Sequence, residues 1–237
     1  MRGFLKQGAP GRADAYAAEA DGLEALRPHI RVPRVLERGM KDGQAFILLE
    51  QLDLKSGGDY AALGRMLARL HRQTGPRFGW HRDNYIGLTP QKNAWSDDWA
   101  EFWLTRRLQP QLELARSNGF RLGEVAQCAL LESHKPQPSL LHGDLWSGNA
   151  GFTNDGPVVF DPAVYYGDRE ADLAMTELFG GFPREFYKAY AEAFPLAAGY
   201  EKRKHLYNLY HLLNHLNLFG RSYLGQVEET LGLLLRL

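Results

Sequence analysis

The chain has 237 residues, 44% apolar and 24% charged, with 28 basic side chains against 28 acidic ones. That length supports one large domain or two small lobes around a sizeable core, and the balance is that of an ordinary soluble globular protein. No basic excess, polybasic terminus or apolar run near about 18 residues is present, so neither nucleic acid nor a membrane is expected as a partner. A single cysteine, Cys128, excludes an internal disulfide and a cysteine-cluster metal site. Its apolar neighbours Val125, Ala126, Ala129 and Leu130 suggest a buried, inert thiol. The start lacks a long apolar stretch, so no signal peptide is expected and a cytoplasmic location is the default.

In chain order, Phe4-Leu5-Lys6 reads as a short strand and Gly8 to Gly11 as a loop. Asp14 to Leu26 reads as a helix on the spacing of Tyr16, Ala20, Leu23 and Leu26, ended by Pro28. Val32 to Gly39 and Ala45 to Leu49 read as strands joined by a hairpin turn at Lys41-Asp42-Gly43. Ser56-Gly57-Gly58 is the best lobe boundary. A helix over 59–71 carries the stripe Leu63, Met66, Leu67 and Leu70. Gly75 to Asn93 reads as loop, with aromatics at Phe78, Trp80 and Tyr85 that either line a pocket or pin the loop. Trp95 to Asn118 reads as a long helix broken at Pro110 and stopped at Gly119, followed by a helix over 122–131. Beyond the next β segment, helices are expected from Asp168, over 182–194, over 200–219 and over 223–237. Asp168 and Glu170 fall in a first helical turn, where the helix dipole favours acids. His211 and His215 are four apart, but no Glu lies between them in the H-E-x-x-H manner and no third ligand is evident, so no metal site is read there.

The β segment carries the chemistry. His142-Gly143-Asp144 is followed after four residues by Asn149, and the apolar run Val158-Val159-Phe160 ends in Asp161. This order is close to the kinase pattern H-R-D-x-x-x-x-N followed by D-F-G. Phosphoryl transfer needs a carboxylate to take the acceptor's hydroxyl proton and oxygen ligands to hold Mg²⁺ against the nucleotide phosphates. Asp144 suits the first role; Asn149 and Asp161 suit the second. Taken singly, each could cap a turn or a helix. In this setting Glu19 is either a solvated surface residue or the partner of Lys6 in the ion pair that positions ATP phosphates. Glu50 and Leu52 are either an ordinary strand exit or a hinge whose backbone meets the adenine edge.

Three stretches, 142–149, 160–174 and His215-Leu216-Asn217-Leu218-Phe219-Gly220, resemble the fructosamine kinase (ketosamine-3-kinase) family. That family belongs with the aminoglycoside phosphotransferases and choline kinases. Asp161-Pro162-Ala163 in place of D-F-G is typical of the wider group, and Trp146 with Tyr165-Tyr166-Gly167-Asp168-Arg169-Glu170 narrows it. The resemblance implies an α+β, two-lobed protein-kinase-like fold, with a small β-rich N-lobe over 1–55 and a large, mostly helical C-lobe over 56–237. It implies ATP and Mg²⁺ as cofactors and transfer to the O3 hydroxyl of a free or protein-bound ketosamine, a deglycation activity. It assigns Asp144 as base, Asn149 and Asp161 as metal ligands, Lys6 and Glu19 as the phosphate-positioning pair, and Trp146, His215 and Asn217 as substrate contacts. Asp172 would brace the catalytic loop. Family members carry roughly 30–40 further residues ahead of the Lys strand, including the Gly-rich loop over the phosphates. No such loop precedes Lys6, so the N-lobe is expected to be truncated, with an exposed sheet edge. Two other readings remain open at this point: a related kinase acting on an aminoglycoside or choline-like alcohol, and a non-catalytic remnant.

Overall fold

The computed structural model describes residues 3–123 and 129–237. Strands β1 (Gly3–Gly8), β2 (Val35–Lys41) and β3 (Gln44–Glu50) form an antiparallel sheet in the order β1-β3-β2. The β2–β3 connection is the expected hairpin, with Asp42 at φ 49° and Gly43 at φ 75°. Positive φ at both central residues gives a turn whose twist matches antiparallel strands. Ala45, Ile47 and Leu49 alternate inward on β3 and are buried. They face the helix α1 (Ala13–Leu26), which buries Leu23 and Leu26. Strand β2 begins three residues later than the pattern suggested, because Pro33 has no N–H to give the ladder.

The remainder is mainly helical. Helix α2 (Tyr60–His71) starts at Asp59, whose carboxylate accepts from Ala62 N–H, and buries the expected stripe. Helices α6 (Arg169–Leu178), α7 (Arg184–Ala193), α8 (Tyr200–Phe219) and α9 (Leu224–Leu234) follow close to their expected places. Most of α8 is buried, and it packs on α6 and α9. Asp168 caps α6 through Glu170 N–H, and Glu170 forms a two-bond ion pair with Arg203 of α8. No helix among the described residues is long and apolar enough to cross a membrane.

Some local readings need correction. The 75–93 stretch is not all loop: it holds a small hairpin, β4 (Asn84–Ile86) with β5 (Thr89–Gln91). Its strands are held by buried amides, Asn84 Nδ2 donating to Val164 O and Gln91 Nε2 to Ala163 O. The 95–118 helix starts later, at α3 (Trp99–Trp103) behind the Asp98 cap. It widens through a π turn at Leu104–Leu108 and continues as α4 (Gln109–Ser117). Pro110 therefore sits in the first turn of α4 rather than breaking it, and Arg106 O, which Pro110 cannot bond, accepts from the Arg107 guanidinium. In the expected 122–131 helix, residues 124–128 lie outside the described residues, Cys128 among them. Leu122 and Gly123 are not helical, and the helix seen is α5 (Ala129–Glu132).

Candidate active site

Two short strand pairs hold the motif residues side by side. Strand β6 (Ser139–Leu141) pairs with β9 (Tyr165–Gly167), and β7 (Ala150–Thr153) with β8 (Gly156–Val159). The β6–β7 loop carries His142 to Asn149; the β8–β9 loop carries Asp161. The loops are tied by Ala163 N–H donating to His142 O at 2.8 Å and by the His142 Nε2 to Phe160 O bond at 3.0 Å. Gly143 makes this approach possible. Its φ is +83°, and a Cβ there would lie 2.0 Å from Ala163 O.

Asp172, from α6, supports the loop from beneath. Its carboxylate accepts from His142 N–H at 2.7 Å, Gly143 N–H at 2.8 Å and His71 Nε2 at 3.1 Å. Burial pushes the Asp172 carboxyl up, but the His71 hydrogen bond, the neighbouring histidines and the Gly143 N–H outweigh it and hold it below its ordinary value. Burial drives His142 the other way and favours its neutral form. That suits its partners: Nε2–H faces the Phe160 carbonyl, while Nδ1 accepts from Asp144 N–H at 3.3 Å.

Asp144 titrates unusually. Burial first, then the charges of Asp161 and Asp172, push its carboxyl up to about 7, against an opposing hydrogen bond from Asn149. Asn149 Nδ2 donates to Asp144 O at 2.8 Å and Oδ2 at 3.2 Å. Among the described residues, nothing donates to its own Oδ1. Asp161 adopts φ 58°, a region sparsely used by non-glycine residues, and the following Pro162 disfavours the right-handed helical alternative. Strain of this kind gathers at functional sites. Lys6 Nζ bonds Asp161 Oδ1 at 2.5 Å and Glu19 Oε1 at 2.7 Å, so β1, α1 and the motif loop converge on one ammonium group. Burial lowers the Lys6 pKa, but Glu19 and Asp161 outweigh it and raise the value. Burial raises that of Glu19 despite Lys6.

Two cavities meet at Lys6 and Asp161. The larger, about 660 Å³, also contains Glu19, Asp144, Trp146, Asn149 and His215. The smaller, about 230 Å³, is walled by Phe4, Pro33, Leu49, Leu52 and Phe160 beside Glu50. Both oxygens of the Glu50 carboxylate take Arg31, at 2.7 and 3.0 Å, and one also takes Arg34 N–H at 3.1 Å. The Arg31 hydrogen bond is the main reason that the Glu50 carboxyl lies below its ordinary value. Glu50 N–H is spent on Arg34 O and is not open to a ligand edge.

Asn217 is the one expected site residue that lies elsewhere. Its side chain bonds Gln111 and Asn118, away from the cleft. Helical geometry explains this: Asn214, His215, Leu218 and Phe219 share the cleft face of α8, and Asn217, two residues past His215, turns away. Asn214 and Phe219 line the cleft without having been singled out for that role, and the α8 spacing around His215 carried the signal for both; Tyr85, read as lining a pocket or pinning its loop, lines the cleft. Around Trp146 and His215 an aromatic wall forms, with Phe179 at 6.1 Å from Trp146 and 4.5 Å from His215 between centroids.

The fructosamine kinase family model matches residues 1–237. The chain belongs to this family. A probable ketoamine kinase of Synechocystis is 46% identical, with 99% of this chain and 83% of the relative covered. A chloroplastic protein-ribulosamine 3-kinase of Arabidopsis thaliana is 44% identical, covering 94% of this chain and 72% of that protein. The crystal structure of a fructosamine-3-kinase candidate from Haemophilus somnus superposes with TM-score 0.94 at 34% identity, covering 98% of this chain and 83% of that one. A type VIII aminoglycoside-3'-phosphotransferase superposes at TM-score 0.56 and 19% identity over 90% of this chain and 84% of its own, a likeness of fold alone. The fold is thus α+β and protein-kinase-like, and the fructosamine kinases are phosphotransferases with an alcohol group as acceptor.

Proposed function

We propose that this chain transfers the γ-phosphoryl group of ATP to the O3 hydroxyl of a ketosamine. The observation that carries the reading is the convergence of Asp144, Asn149, Asp161 and the Lys6–Glu19 pair on one cleft. Residues 1–55 act as the small lobe and 56–237 as the large one. The adenine enters the apolar cavity beside Leu52, its edge against the Glu50 carbonyl and the Leu52 backbone, and the phosphates run toward Lys6. Asp144, with a carboxyl near neutrality, accepts the proton of the acceptor hydroxyl as its oxygen attacks phosphorus. Asn149 fixes the orientation of that carboxylate through its amide hydrogens.

The donor set fits Mg²⁺. Asn149 Oδ1 and the Asp161 carboxylate are hard oxygen ligands beside an open cleft, and a site with few protein ligands leaves the rest to water and phosphate oxygens. When bound, the ion neutralises charge on the phosphates. Trp146 and His215 form the wall on which the sugar packs.

The cleft chemistry favours a ketosamine over a polycationic aminoglycoside. The acids lining the larger cavity are Glu19, Asp144 and Asp161, all engaged in phosphoryl transfer, and Lys6 and Arg12 offset them. No further carboxylate among the described lining residues is left for a polyamine. The test is ATP consumption with Mg²⁺ and a fructosamine or ribulosamine, set beside an aminoglycoside and choline. Turnover with ketosamines alone supports the reading. Turnover with the amine alcohols alone moves the chain to the second class, and silence with every acceptor supports the non-catalytic remnant.

A further inference from the structure

Helix α1 has to hold Glu19 against Lys6, and it is also tied from another face. Asp14 and Asp21 are seven residues, two turns, apart, and so point the same way; Glu19 points from a different face. Both oxygens of both aspartates are occupied by the 80–85 segment. Trp80 Nε1 donates to Asp21 Oδ2 at 2.8 Å, and His81 Nε2 meets Asp21 Oδ1 at 3.0 Å. Arg82 Nη2 donates to Asp14 Oδ1 at 2.6 Å, and Tyr85 Oη to Asp14 Oδ2 at 3.1 Å.

The segment is itself anchored to the motif strands. Gly79 and Tyr166 exchange two backbone hydrogen bonds at 2.9 and 2.8 Å, and Trp80 N–H donates to Asn93 O at 3.0 Å. Helix α1 also touches the motif loop directly. A Cβ on Gly22 would lie 3.1 Å from Val164 Cγ2 and 3.3 Å from Pro162 Cγ, so a larger residue would press the helix away from Asp161. The 80–85 segment thus joins the helix that carries Glu19 to the strand that follows Asp161.

We infer that Asp21, assisted by Asp14, is a positioning residue that locks α1 onto the helical body so that Glu19 holds Lys6 in register with Asp144 and Asp161. The inference rests on the kinase reading above. Asp21 is the stronger member: its side chain is 30% exposed, against 64% for Asp14, and its Trp80 partner is buried. Exposed ion pairs contribute little, whereas a hydrogen bond from a buried indole to a carboxylate is charge-assisted and shielded. The lock also passes close to the proposed substrate cleft, because Tyr85 of the same segment and Leu88 in the β4–β5 turn beyond it line the larger cavity.

The experiment compares parent, Asp21→Ala and Asp14→Ala in the parent and Glu19→Gln backgrounds, reading kcat/KM for ATP and thermal midpoint. Asp21→Ala is expected to lower kcat/KM for ATP roughly tenfold, since small misplacements of positioning groups are costly, and Asp14→Ala less. In the Glu19→Gln background neither change lowers it further, because the ion pair through which α1 holds Lys6 is already lost. A merely structural role gives losses that add in both backgrounds, or a fall in midpoint with kcat/KM unchanged; either overturns the inference. Trp80→Phe keeps the ring and removes the donor, and it decides by the same criteria if Asp21→Ala fails to fold. A parent that consumes no ATP refutes the kinase reading, whereas an active parent matched by a folded Asp21→Ala refutes only the lock.

Discussion

The two halves of the catalytic constellation are held in different ways. Asp144 and Asn149 sit on a loop whose supports are buried and mutually bonded, with Asp172 beneath two backbone N–H groups and His71 behind it. Lys6 sits on β1, an edge strand whose Phe4 and Leu5 are 49% and 51% exposed, and its ammonium group is held by side-chain ion pairs, to Asp161 of the β8–β9 loop and to Glu19 of α1. The first half is fixed by packing, and the second by charges reaching across a cleft. Removing a buried partner should therefore cost stability and activity together, whereas removing a cleft partner should cost activity with little loss of fold.

The sharpest way to break the first half is Asp172→Ala. It strands the His142 and Gly143 N–H groups and the His71 ring in a dry environment. We expect a loss on the order of 3–5 kcal/mol in urea unfolding, with turnover abolished. A loss below about 1 kcal/mol would show that the loop is held by its backbone alone. Next comes Asp144→Asn, which keeps shape and removes the base. Turnover should fall by about 10²- to 10⁴-fold, with ATP still bound in equilibrium dialysis. Turnover near parent would mean that another group accepts the proton.

The same substitution probes stability with the opposite sign. The Asp144 carboxyl is raised to about 7 in the fold, from an ordinary value near 3.8 in the unfolded chain. Below the lower value both states are protonated and the group contributes nothing. Between the two values the unfolded chain ionises and the folded one does not, so stability falls as pH rises; above about 7 the penalty is complete. Metal-free Asp144→Asn should accordingly be the more stable protein, by about 1–3 kcal/mol at pH 8 and by less at pH 5. Equal midpoints at both values would show that the parent carboxylate ionises there without cost. A base placed where its charge is unwelcome gives up stability for function, which the comparison of the two halves leads one to expect.

These differences also mark what could be read from the sequence. The order of Asp144, Asn149 and Asp161 was legible because the chemistry fixes residue type and spacing. The sheet hairpin was legible from Asp42-Gly43 and alternating apolar residues, and α2 and α8 from their apolar periods. The β4–β5 hairpin was not, because its strands are three residues long and are held by buried Asn84 and Gln91 rather than by β-forming side chains. Asn217 was misplaced because nearness to His215 in sequence was allowed to outweigh the helical period. The lock through Asp14 and Asp21 was invisible for another reason: surface aspartates on a helix carry no mark of partners about 60–70 residues away.

The cleft-side half gives smaller effects. Glu19→Gln keeps a hydrogen bond to Lys6 but removes the charge, so Lys6 is left to Asp161 and can follow it. We expect kcat/KM for ATP to fall roughly tenfold, with the midpoint within a few degrees of parent. A large fall in midpoint with kcat/KM intact would move the pair from positioning phosphates to holding the sheet.

The smallest effect, and the most specific to the acceptor, belongs to Trp146. Its ring lies over Gly148, where a Cβ would come within 2.4 Å of it, and edges onto Phe179, while Trp146 itself lines the cleft. A wall of this kind binds the sugar equally before and during transfer, so it should act on KM and leave kcat alone. Trp146→Ala should raise KM for a ketosamine about five- to tenfold, matching the roughly 1 kcal/mol that an aromatic contact contributes, while KM for ATP stays put. Trp146→Phe should recover part of the loss, because the wall needs a ring more than an indole N–H. If kcat falls with KM unchanged, Trp146 acts on the loop geometry around Asp144 instead, and the sugar must be sought against His215 and Phe219 on the facing helix.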